Sequence, residues 1–142
     1  RSSSRRLTAR LNAIVRPHKQ QMALFLPFES AILGAVGSSL SDDLRGPFLE
    51  QMASINKVQR LLDWKEIEFY CMRWFKVRWP SNVLFDRREE FVLASGSLTA
   101  GAATATVKIW AVGGHVFSVE SESSMKPFRS TENLSFVVAH AA

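Results

Sequence analysis

Two adjacent glycines, Gly113-Gly114, separate Thr104–Val112 from His115–Ser121, and both flanking runs alternate bulky and small or polar residues. A two-residue primed turn needs positive φ at its central positions, which glycine adopts at no steric cost, so this spacing predicts a β-hairpin. Its register sets Trp110 opposite Phe117 and Val112 opposite His115 on one face, with Ala111 opposite Val116 on the other. The same period of two marks Glu89 to Leu98 and the residues Leu134, Phe136 and Val138. It also marks Trp64 to Pro80, where Ile67, Phe69 and Cys71 share one face and Glu66, Glu68, Tyr70, Met72 and Trp74 the other. Phe75, Val77 and Trp79 resume the apolar face, so a bulge or bend is expected near residues 72–74 of one long strand.

Ahead of these strands the period is helical. Pro47 to Leu62 carries Phe48, Met52, Ile55, Val58 and Leu62 at steps of three and four, and proline suits a first helical position. Residues 29–40 repeat this spacing with Ile32, Leu33, Val36 and Leu40, although Gly34 and Gly37 weaken a helix there and leave extended structure open. Ser41, Asp42 and Asp43 suit a helix start or a turn. The chain has 142 residues, 46% of them apolar, and one cysteine, Cys71. That length buries a core without disulfides or a structural metal. The expected fold is a β-rich α+β domain over residues 29–142, with N-terminal helices packed on an antiparallel sheet of about five strands. An all-β jelly roll is the alternative.

Charge is unevenly distributed. Residues 1–28 hold Arg1, Arg5, Arg6, Arg10, Arg16 and Lys19 with no acid, whereas residues 29–142 hold twelve basic and thirteen acidic side chains. A cationic arm on a near-neutral body suits a segment that meets a polyanion, nucleic acid above all. The same composition fits an organellar transit peptide, a solvated end, or a membrane-surface helix with Leu7, Leu11, Ile14 and Val15 on one side. The longest uncharged run, Phe91 to Val107, is diluted by serine, threonine and glycine, so no membrane-spanning segment is expected.

Catalytic patterns are missing from the sequence. His18, His115 and His140 are far apart and have no metal-ligand spacing, and Ala94-Ser95-Gly96-Ser97-Leu98 is not a nucleophile elbow. The acid pairs Asp42/Asp43, Glu66/Glu68 and Glu89/Glu90 read as solvated groups. Neither an enzyme, a metal nor a cofactor is expected. The stretch from Trp64 to Arg88 is the most distinctive: Trp64, Trp74 and Trp79 are interleaved with Lys65, Arg73, Lys76, Arg78, Arg87 and Arg88. Aromatics among cations suit stacking on unpaired bases, and equally a core or subunit interface edged by arginine. Arg73, Lys76 and Arg78 join the six cations of the arm as candidate nucleic-acid contacts.

The segment Trp64-Lys-Glu-Ile-Glu-Phe-Tyr-Cys-Met-Arg-Trp-Phe-Lys-Val-Arg-Trp-Pro80 behind a cationic arm resembles coat proteins of small icosahedral plant RNA viruses. Gly113-Gly-His-Val-Phe-Ser118 is similar to a segment of some of their shells. The resemblance implies a virion subunit that associates with its own copies and reaches packaged single-stranded RNA through the arm. It also implies a jelly roll. The competing expectation is a monomeric cellular domain that binds a small apolar ligand or a partner protein between helix and sheet.

Overall fold

The computed structural model describes residues 24–131 and 133–142. Two helices, α1 (Pro27–Ser39) and α2 (Asp42–Ser54), precede eight strands. These are β1 (Lys57–Arg60), β2 (Glu66–Tyr70), β3 (Met72–Arg73), β4 (Lys76–Val77), β5 (Phe91–Ala100), β6 (Ala103–Val112), β7 (His115–Ser121) and β8 (Ser135–Ala141). Six of them form one antiparallel sheet in the order β1-β2-β7-β6-β5-β8, and β3 pairs with β4 as a separate hairpin. This is the β-rich α+β arrangement, with one sheet where a jelly roll has two.

The helices cover one face of the sheet. Phe28, Ile32 and Val36 of α1 and Phe48 of α2 are fully buried against Ile67, Phe69, Leu93, Val107, Ile109, Val116 and Val119. In β6 the alternation holds throughout: Ala105, Val107, Ile109 and Ala111 point into the core, while Thr104, Thr106, Lys108, Trp110 and Val112 line the open face. Gly113 and Gly114 both adopt positive φ at the β6–β7 turn, as the hairpin requires. Val112 faces His115 and Ala111 faces Val116, but Trp110 faces Ser118 because Phe117 bulges out of register. The Phe117 ring meets Tyr70 edge-on instead, at 6.2 Å.

The helical reading of residues 29–40 holds as far as Ser39, with Pro27 opening α1. The second helix begins earlier and ends earlier than Pro47 to Leu62: it runs from Asp42, with Ser41 at the N-cap position, to Ser54, with Pro47 inside it. There the proline ring removes only the bond to the Asp43 carbonyl, one turn from the exposed N-terminus. Beyond Ile55 the chain is the edge strand β1, paired with β2, and Arg60 meets a buried carboxylate rather than solvent. Its guanidinium donates to both oxygens of Glu29, at 2.8 and 2.7 Å, and to the Leu24 carbonyl at 3.0 Å. Glu29 also accepts from the Leu26 N–H at 2.7 Å and so closes the first turn of α1.

A second buried polar group ties α2 to the sheet. Gln51 donates through Nε2 to the Val83 and Gly114 carbonyls and accepts from the Val116 N–H, at 2.7, 3.1 and 2.8 Å. At the other end of the sheet, β8 lies so close to β5 that a Cβ on Gly96 would collide with the Val137 carbonyl. Among the described residues no helix is long and apolar enough to cross a membrane.

Candidate nucleic-acid interface

The single long strand expected from Trp64 to Pro80 is replaced by three shorter ones, β2, β3 and β4. β2 ends at Tyr70 and the chain then doubles back on itself, pairing Met72 with Val77 and Arg73 with Lys76. The reversal is made by Trp74 and Phe75, both left-handed, with φ of 53° and 66°. A primed two-residue turn normally takes glycine or asparagine, because an L side chain there costs about 1–2 kcal/mol per residue. Neither ring recovers that cost by burial, since Trp74 is 88% and Phe75 98% exposed. The turn therefore combines backbone strain with exposed aromatic surface, two features that cluster at binding sites.

The base of this hairpin is held firmly. Asn56, just past α2, accepts from the Met72 N–H at 2.7 Å and donates to the Met72 carbonyl at 2.9 Å. The Arg78 N–H closes the far side on the Cys71 carbonyl at 2.7 Å. Trp79 stacks on the His115 imidazole with ring centroids 4.5 Å apart and planes 16° from parallel. Burial pushes the His115 imidazole below its usual pKa, and burial raises that of the Cys71 thiol, which lies beside Arg73. A rigid base under an exposed tip positions the two rings without adaptation by the chain.

The charge around the tip has one sign. Arg73, Lys76 and Arg78 are exposed, and none has a carboxylate partner among the described residues. From Cys71 to Phe85 the sequence contains no acid. Arg73 and Arg78 line a cleft of about 410 Å³ with Trp79, Pro80 and Ser81 at the foot of the hairpin. Two guanidiniums on a concave surface suit a phosphate, and the tip rings suit the faces of bases.

Arg73, Lys76 and Arg78 are thus brought together, whereas Arg1, Arg5, Arg6, Arg10, Arg16 and Lys19 lie outside the described residues. The three tryptophans separate. Trp74 is free at the tip, Trp79 packs on His115, and Trp64 is half-buried near Arg129, whose guanidinium lies 5.8 Å from the ring centre. Sequence reasoning did not single out Phe75 as an exposed turn residue, because it continued the alternation of a strand. The only local cue was the slip in that alternation near Met72 to Trp74.

The open face of the sheet carries Glu66, Glu68 and Tyr70 on β2 and Glu120 on β7, with Glu66 opposite Glu120. The Tyr70 hydroxyl donates to Glu68 at 2.6 Å. Burial and that carboxylate push Tyr70 up to about 12. Burial, then Glu68 beside it, raises Glu66 above the usual carboxylate range. Among the described residues no group of three or more His, Cys, Asp or Glu side chains is placed to hold a metal ion. Comparison with protein-family models, with curated proteins and with solved structures returns no match.

Proposed function

We propose that this chain is a non-enzymatic assembly subunit that contacts single-stranded RNA through the Trp74-Phe75 hairpin and its basic arm, and that associates with its own copies. The observation that carries the nucleic-acid part is the left-handed, solvent-exposed Trp74-Phe75 turn amid three cations that have no carboxylate partner among the described residues. Bases stack on the two rings, phosphates pair with Arg73, Lys76 and Arg78, and the arm adds sequence-independent affinity. Discrimination between sequences is weak in such a site, because every base has a stacking face.

Anisotropy of a labelled oligouridine, titrated with the full chain over a range of salt, tests this. Nine phosphate contacts, six from the arm and three from the hairpin, give a slope of log K against log salt of about −6, at roughly −0.7 per contact. Combining Arg73→Ala, Lys76→Ala and Arg78→Ala brings it to about −4. A slope unchanged by the triple substitution removes the hairpin from the interface, and a wild-type slope near zero removes the whole proposal.

A second reading has one observation in its favour. The space between helices and sheet is filled by the core, but an apolar cleft of about 630 Å³ opens between α1 and α2, lined by Phe25, Leu33, Gly37, Phe48 and Leu49 among others. A small apolar ligand would bind there, outside the helix–sheet space that the sequence pointed to. Saturable binding of an apolar fluorophore, lost in Gly37→Leu, is the result that reading requires.

A further inference from the structure

The two edges of the sheet are built differently. β1 is four residues long, carries Lys57 and Arg60, and is tied to α1 through Glu29. β8 is seven residues long, pairs on one side only among the described residues, and contains no Lys, Arg, Asp, Glu or Pro in Ser135–Ala141. Val137 is 64% exposed, and Ala139, the residue left unopposed where the β5–β8 register slips, is exposed beside it. Folded proteins guard such edges with short length, charge or proline, because unpaired N–H and C=O groups template another strand. β1 has two of these guards; β8 has none of the three, and only the bulge at Ala139 interrupts its edge.

We infer that β8 is a self-pairing edge: two copies join β8 to β8, antiparallel about a two-fold axis, and fuse two six-stranded sheets into one. This names the surface for the self-association proposed above and rests on that part of the reading. A second copy fits better than an unrelated strand for two reasons. The chain carries a net charge of +5, and β8 is a long uncharged strand through which identical copies meet without apposing cations. Pairing of β8 with β1 of the next copy would propagate into an open fibre, whereas one guarded edge and one open edge allow only a closed dimer. The strand order also sets β2, which leads into the hairpin, at the far side of the sheet from β8. A β8–β8 dimer therefore leaves both aromatic tips free at its outer ends, where one polymer strand can engage both.

Light scattering of the full chain, without RNA and over a wide concentration range, is the test. The wild-type chain is expected to reach about twice its 15.9 kDa mass. Val137→Lys combined with Ala139→Lys, both at exposed positions, is expected to stay at the single-chain mass with an unchanged far-UV circular dichroism spectrum. Ala139→Lys alone serves if the double variant misfolds. A wild-type chain that remains single at all concentrations overturns the inference, as does a dimer that survives the lysines. Hydrogen exchange gives a third check: β8 amides protected equally at low and high concentration show that another stretch of the same chain covers the edge, which also overturns it. Oligouridine binding is measured separately: loss of the dimer with RNA binding retained in the lysine variant leaves the hairpin site standing, and a lysine-sensitive wild-type dimer that binds no oligouridine leaves β8 standing.

Discussion

Replacing the tip with Trp74→Asn and Phe75→Gly is expected to make the protein more stable and its RNA binding weaker. Two bulky L residues in the left-handed region cost about 1–2 kcal/mol each, and Asn-Gly is the pair that this turn geometry favours. The rings are 88% and 98% exposed, so their removal forfeits almost no packing. Glycine adds entropy to the unfolded chain, which returns about 0.5–1 kcal/mol of the gain. The net is a stabilisation of about 1–3 kcal/mol, or roughly 3–9 °C in melting temperature for a chain of this length. Circular dichroism melting and calorimetry measure that half. Binding should move the other way, because each base stack is worth about 1–3 kcal/mol. Loss of both stacks, at about 2 kcal/mol each, weakens oligouridine binding by roughly 1,000-fold. A variant that melts at or below the wild-type temperature refutes the strain argument, since it would mean that the rings contribute packing. Unchanged affinity in a stabilised variant refutes the stacking argument instead.

Two other predictions follow from buried polar groups. Arg60→Ala leaves the fully buried Glu29 carboxylate without its guanidinium, and should cost about 3–5 kcal/mol in urea unfolding; Arg60→Met with Glu29→Met should restore most of it. If the single and double substitutions cost the same, the pair is not coupled as described. His115 has a folded pKa depressed below its unfolded value, so the stability linked to it is present above about pH 6.5 and is lost as pH falls through the folded pKa. His115→Phe should keep the ring stack on Trp79 and flatten the stability profile below about pH 6.5; an unchanged acid limb assigns that limb to other groups.

Much of the sheet was determined by local chemistry alone. The positive-φ demand of Gly113-Gly114 and the alternation around it identified β6 and β7 without any long-range information. The same alternation located β5 and β8, because a half-buried strand must alternate whatever it packs against. The cations of the hairpin were visible as residue types in a run without acids. Tertiary structure decided three things that local pattern could not. It ended α2 at Ser54 and extended the chain at β1, where pairing with β2 and the Arg60–Glu29 ion pair, thirty-one residues apart, hold it. It moved Phe117 out of register at the end of a hairpin whose turn was legible. Above all it placed two aromatic residues in a turn that their own propensities oppose. Local preference can announce a turn only where it agrees with the backbone, and at Trp74-Phe75 it does not. That reversal is maintained by Asn56 and the Cys71–Arg78 bond at its base, contacts that exist only once the surrounding chain has folded.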